Sequence, residues 1–146
     1  LQHVDEVSDE QQVPVYESVL MDTNGDITHV LLHAAGYAKD NRLPPQGFRE
    51  TDPRFDPLTA VIGTGGDADF NVDGSGSDVV HYRVDVSGGT PLFRVRATLY
   101  LQSIRPDFIA ALDTDSTLAE NFRIMMANVP PVPEVITSAT VDIAAP

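Results

Sequence analysis

Hydrophobic and polar positions alternate with the period of a β-strand over several stretches of this chain. In the first, Val15, Glu17, Val19 and Met21 fall on one side and Tyr16, Ser18 and Leu20 on the other. Ile27–Ala35 repeats the apolar pattern after a Thr23-Asn24-Gly25-Asp26 break. Because Asn24-Gly25 can supply the two positive-φ residues of a tight turn, Val13–Asp22 and Ile27–Ala35 are predicted to form a β-hairpin. Further on, Val80, Tyr82, Val84 and Val86 are expected inward, with His81, Arg83 and Asp85 outward. After Ser87-Gly88-Gly89-Thr90, the run Leu92–Ile104 places Phe93, Val95, Ala97, Leu99 and Leu101 on one face, so these two runs are predicted to pair antiparallel.

Past Pro106 the period becomes helical. Asp107 is placed to cap a short turn through Leu112, and Thr117-Leu118-Ala119-Glu120 has the form of a capping box. Leu118, Phe122 and Met125 are spaced for one buried face, and Pro130, Pro131 and Pro133 stop the helix. Val135–Ile143 alternates again as a last, edge-type strand.

Between these elements, Pro44, Pro45, Pro53 and Pro57 exclude a central strand from Gly36–Leu58 and predict a long ordered connection. Thr59–Thr64 is a short strand candidate, and Gly65–Asp78 is a glycine and aspartate loop. Residues 1–12 are polar and acidic and read as a linker or lead-in. The fold class that follows is all-β: an antiparallel Ig-like β-sandwich with one or two short helices before the last strand, one domain over residues 13–146.

Composition narrows the function classes. The 146 residues suit a single core, and 22 acidic against 9 Lys plus Arg residues give a net charge of -13. So acidic a chain repels phosphate backbones and anionic lipid, so no nucleic acid and no membrane insertion are expected. No cysteine is present, which excludes disulfides, thiolate metal sites and covalent attachment of haem c by this chain. A start at Leu1 in place of Met is expected for a mature or processed piece of a longer protein.

Candidate chemistry concentrates in the aspartate loop. Asp67, Asp69, Asn71, Asp73 and Asp78 gather the oxygen ligands that Ca²⁺ selects, and Asp69-x-Asn71-x-Asp73-Gly74 matches the first half of a calcium loop. The twelfth position, however, is Val80 where a bidentate Glu is needed, and a solvated loop accounts for the same residues. Asp22-x-Asn24-Gly25-Asp26 is assigned to a turn. Four histidines, His3, His29, His33 and His81, invite a metal or haem-ligand reading. His29 and His33 stand about 13 Å apart on one predicted strand face, too far to share an ion, and an ordinary surface or interface histidine is favoured over axial ligation of a haem held by another segment. No nucleophile elbow, phosphate loop or zinc motif occurs, and no catalytic residue is assigned.

One set of segments carries a resemblance. Val15-Tyr16-Glu17-Ser18-Val19-Leu20-Met21-Asp22, Thr28–Leu32 and Gly36-Tyr37-Ala38-Lys39-Asp40-Asn41-Arg42-Leu43-Pro44-Pro45-Gln46-Gly47-Phe48 are its main part. Asp67-Ala68-Asp69-Phe70, Gly76–Val84 and Ala97–Ile104 extend it over most of residues 13–112. Together they resemble the C-terminal haem-free domain of a group of bacterial secreted multihaem c-type cytochromes.

The resemblance implies a periplasmic or extracellular β-rich domain or subunit that accompanies a haem-bearing cytochrome region in electron transfer, with haem c in the parent or partner. Its roles would be packing, shielding, docking or assembly into a larger complex, with no activity of its own. Within it, Tyr37, Lys39, Asp40, Asn41, Arg42 and Phe48 are expected to lock the long loop against the sheet, so that Asn41→Ala or Arg42→Ala lowers thermal stability by more than surface changes such as Gln12→Ala. The alternative is a calcium-stabilised secreted binding module for carbohydrate or surface attachment, against which the absence of Trp counts.

Overall fold

The structure, a computed structural model, describes residues 2–52, 61–87, 92–113 and 115–144. Most of the turn expected at 87–90 and the whole of 53–60, with Pro53, Pro57 and the start of the Thr59–Thr64 strand candidate, lie outside these. Two compact units divide the chain, Leu1–Asp85 and Val86–Pro146.

In the first unit the strands are β1 (Glu6–Val7), β2 (Ser18–Met21), β3 (Ile27–Thr28), β4 (Gly36–Asp40) and β5 (His81–Tyr82). β2 is the middle of a three-stranded antiparallel sheet in the order β3-β2-β4. The predicted hairpin forms, with Leu20 opposite Thr28 and Met21 opposite Ile27, but its return strand is two residues long. Its turn also differs from the expectation. Of the two central residues only Gly25 has positive φ, at 87°, and the Gly25 N–H donates to the Asp22 carbonyl while the Asp22 N–H donates to Asp26. This is the three-residue connection in which one left-handed glycine follows an ordinary turn.

Prolines were expected to exclude a central strand from Gly36–Leu58 and make it a long connection; its first five residues, ahead of Pro44, form β4, which lies at the end of the β3-β2-β4 order and pairs with β2 across a bulge at Val19/Leu20. Asp40 continues the ladder by exchanging both backbone bonds with Ile62. Residues 1–12, expected as a linker, instead contribute β1, which pairs in parallel with β5 through Glu6–His81 and Val7–Tyr82. Among the described residues of this unit, the large apolar side chains that are buried are Val7, Val19 and Phe48.

The second unit holds β6 (Leu92–Leu101), α1 (Pro106–Ala110), α2 (Thr117–Asn128) and β7 (Glu134–Ala144). β6 and β7 form a long antiparallel ribbon, with Phe93 opposite Ile143, Val95 opposite Val141 and Ala97 opposite Ala139. On the other face Arg94 lies opposite Asp142 and Arg96 opposite Thr140, and the Arg94 guanidinium bonds both Asp142 oxygens at 2.7 and 2.9 Å. The cap of α2 is Ser116, whose hydroxyl accepts the Ala119 N–H, one residue before the predicted Thr117. Helix α2 turns Ala119, Phe122 and Met126 to its more buried side, while Leu118 and Met125 point to solvent.

An Ig-like sandwich is therefore not what these residues build. They form a two-stranded parallel pair, a three-stranded sheet and a two-stranded ribbon, where a sandwich needs two facing antiparallel sheets. The predicted pairing of Val79–Val86 with Leu92–Ile104 fails in both partners: β5 joins β1 and β6 joins β7. Alternation reports that a strand has an apolar side, and β6 finds in β7 a run of matching length and period. Tyr82 and Val84, expected inward, are exposed.

Candidate functional site

The densest polar constellation lies in the first unit, where a strap, a strand end and a loop meet around His3. The strap is the segment before β1, the strand end is Asn41 just past β4, and the loop carries Asp67 and Asp78. Asn41 is completely buried. Its Oδ1 accepts the Glu17 N–H at 2.9 Å, and its Nδ2 donates to the Val15 carbonyl at 3.0 Å and faces His3 Nδ1 at 2.9 Å.

Those bonds decide the histidine tautomer. Since Oδ1 is taken by a backbone donor, the atom presented to His3 is the amide nitrogen, so Nδ1 must accept and Nε2 carries the proton. The Nε2–H then donates to Asp67 Oδ2 at 2.8 Å. The His3 ring also meets Tyr16 and Phe70 edge-on, with centroids 6.2 and 5.4 Å away.

Asp67 is anchored from a second side, its Oδ1 accepting the N–H groups of Asp69 and Phe70 at 3.0 and 3.3 Å. Burial pushes the Asp67 carboxyl up, but the His3 and backbone donors together outweigh it and hold the group below the usual 3.8. Asp78 Oδ2 accepts the Tyr16 hydroxyl at 2.6 Å and stands 3.8 Å from His3 Nε2. Burial first, and then the Asp78 carboxylate, push the Tyr16 phenol up, which keeps it a neutral donor. Asp78 Oδ1 is buried with no hydrogen-bond partner.

The five residues expected to ligate calcium are thus split. Asp67 and Asp78 meet at His3, while Asp69 belongs to a second, more exposed group with Asp5 and His81. Asp69 Oδ1 accepts the Val79 N–H at 3.2 Å. Burial and the carboxylates of Asp67, Asp5 and Asp78 raise its pKa against that bond. Asn71 spans the loop, Oδ1 accepting from Gly76 and Nδ2 donating to the Phe48 carbonyl. Asp73 joins neither group and sits in the left-handed region at φ 51°.

The His3 group is poorly made for a cation despite its ligand types. A metal at Nε2 requires the proton to move to Nδ1, where it would point at the Asn41 amide donor. Asn41 cannot turn over to receive it without opposing its nitrogen to the Glu17 N–H.

The segment carrying the resemblance is built into the same region. Lys39 is buried, its ammonium donating to the Val15 carbonyl at 3.0 Å and to Glu17 Oε1 at 3.2 Å. Asp40 holds the Arg42 guanidinium at 2.8 and 2.6 Å, with the Arg42 end exposed and the Asp40 carboxylate mostly covered. Tyr37 is half-buried opposite Leu20, and Phe48 is buried. The turn before Phe48 packs backbone to backbone on the aspartate loop, with the Gly47 N–H donating to Gly74 at 2.7 Å. A Cβ on Gly74 would come within 2.8 Å of the Phe48 carbonyl, and one on Gly76 within 2.8 Å of the Gln46 nitrogen.

His3 stood in the sequence only among the four histidines open to a metal or haem-ligand reading, and Tyr16 only as a strand position; nothing there placed either beside the aspartate loop. His29 and His33 do not share a strand, because β3 ends at Thr28 and His33 closes a short 3₁₀ turn. No described helix is long and apolar enough to cross a membrane. No known family, curated protein or solved structure matches the chain.

Proposed function

We propose that this chain is a haem-free, non-catalytic β-rich domain or subunit that accompanies a multihaem c-type cytochrome in the periplasm or outside the cell. It acts by packing against, shielding or docking the haem-bearing part, and lacking cysteine it attaches no haem c itself. The resemblance of residues 13–112 suggests the partner class. The observation that carries a docking role is the β6–β7 ribbon. Val95 and Leu99 on β6 and Val141 and Ile143 on β7 remain roughly half exposed, and no described residue of the second unit is fully buried. A two-stranded ribbon is marginal by itself in water, so an apolar face of this length favours a covering partner.

The test is affinity capture from an extract of the cells that make the protein, read as Soret absorbance and haem-stained bands in the retained fraction. The expected result is a covalent-haem polypeptide retained by the native chain and lost with Val95→Asp or Val141→Asp, both of which lie in the second unit. Retained protein without haem absorbance overturns the reading.

A further inference from the structure

Of the five asparagines, at 24, 41, 71, 121 and 128, only Asn24 precedes a glycine. Both Asn24 and Gly25 are exposed at the tip of the β2–β3 hairpin, and a Cβ built on Gly25 would meet nothing within 4 Å. With no side chain to shield it, the Gly25 nitrogen is the least hindered backbone nucleophile beside any asparagine here. Elsewhere the amides are held: Asn41 is completely buried, Asn71 is bonded at both ends, and Asn121 and Asn128 lie in α2.

We propose that Asn24 is a site of spontaneous deamidation whose rate is set by the grip of Asp22 on the hairpin tip. The Gly25 backbone nitrogen gives its proton to hydroxide and attacks Asn24 Cγ. The new N–Cγ bond forms as the Cγ–Nδ2 bond breaks, and ammonia leaves with a proton from water. One water then opens the cyclic imide at either carbonyl, leaving an aspartyl or isoaspartyl residue; no oxidant or reductant takes part.

Asp22 opposes the attack that begins this. Its carbonyl holds the attacking nitrogen through the Gly25 N–H at 3.1 Å. Its Oδ1 accepts the N–H groups of Asn24 and Asp26 at 2.8 and 3.0 Å, and its Oδ2 receives the Asn24 side-chain amide at 3.4 Å. The nucleophile is released only when the tip opens, and because β3 contributes two paired residues, that opening is local. The product places a third carboxylate between those of Asp22 and Asp26 and removes the hydrogen bond that the Asn24 side-chain amide donates to Asp22.

Incubation of the full chain at mildly alkaline pH, followed by peptide mapping that separates aspartyl from isoaspartyl products, tests this. Conversion is expected at residue 24 ahead of the other four asparagines, absent in Asn24→Gln, and several-fold faster in Asp22→Ala. Asp22→Asn, which keeps an acceptor oxygen, is expected to stay closer to the native rate than Asp22→Ala. An intact Asn24 while another asparagine converts overturns the site, and an unchanged rate in Asp22→Ala overturns the brake. The other asparagines report on folding in the same map, since conversion at all five in Asp22→Ala means global unfolding and also overturns the brake.

Discussion

The side-chain oxygen of Asn41 accepts the backbone N–H of Glu17 at 2.9 Å, while the Asn41 N–H donates back to the Glu17 carbonyl at 3.2 Å. This reciprocal pair extends the β2–β4 ladder through a side chain and aims the Asn41 amide nitrogen at Val15 and His3. One fully buried residue thereby satisfies three backbone groups, the Glu17 N–H, the Glu17 carbonyl and the Val15 carbonyl, and fixes the tautomer of His3.

Asn41→Ala should therefore lower stability by roughly 2–3 kcal/mol, because it leaves the Glu17 donor, the Val15 acceptor and His3 Nδ1 with fewer partners in a dry site. Arg42→Ala, expected from the sequence to act alike, should cost no more than about 1 kcal/mol, since its guanidinium is 59% exposed and pairs with Asp40 two residues away, with Tyr37 as a further side-chain hydrogen-bond partner. Glu10→Ala, an exposed change, serves as reference. Urea titrations of the three variants give the ranking, and equal losses for Asn41→Ala and Arg42→Ala would contradict it.

How far the sequence foretold these features depended on the range of the interactions. Gly25, the helix between Ser116 and Pro130, and the extent of β7 follow from local chemistry: a left-handed turn position, a hydroxyl cap and a period of two. Pairing is a long-range choice. The alternation of Val80, Tyr82 and Val84 was as regular as that of β7, yet β6 took β7 because a strand's own pattern does not name its neighbour. Lys39 and Asn41 were assigned a structural role from the resemblance, and their burial fits it. Nothing local marked His3 as their partner, because a polar dodecapeptide looks the same whether it is solvated or threaded beneath a loop.

His3→Ala should destabilise the first unit by about 2 kcal/mol or more. The side chain is 2% exposed, and its loss deprives Asp67 Oδ2 of its side-chain donor and leaves the Asn41 amide facing a void. His3→Gln, whose amide can still donate toward Asp67, should recover part of the loss. Hydrogen exchange offers the sharper reading: the amides of Asp69 and Phe70, which donate to Asp67, should lose protection in His3→Ala. Unchanged protection there would show that the strap is dispensable.

The depressed Asp67 carboxyl makes a pH dependence with a defined sign. Because its folded pKa lies below the unfolded 3.8, the folded state binds fewer protons in that window and stability rises with pH through it. The contribution is complete above the unfolded value and disappears as pH falls through the lower folded one. Asp67→Asn should consequently flatten the acid arm of the stability profile while lowering the plateau near neutrality. Thermal melts at steps from neutral pH downward would show it; parallel acid arms for the native chain and Asp67→Asn would refute the assignment.

Two glycines separate backbone strain from steric exclusion. Gly65 and Gly76 have nearly the same left-handed φ, 70° and 68°, so alanine at either must bear the cost of that conformation, about 1–2 kcal/mol. At Gly65 nothing lies within 4 Å of the added methyl, whereas at Gly76 it would meet the Gln46 nitrogen at 2.8 Å and the Pro44 carbonyl oxygen at 2.9 Å. Those atoms belong to the backbone of the segment that ends at Phe48, so they cannot swing aside as a flexible side chain would. Gly76→Ala should thus cost clearly more than Gly65→Ala, and should also loosen the bond from Gly47 to Gly74 that joins the two loops. Urea midpoints measure the difference, and a Gly76→Ala midpoint no lower than that of Gly65→Ala would mean that the Pro44–Phe48 turn does not rest on the aspartate loop.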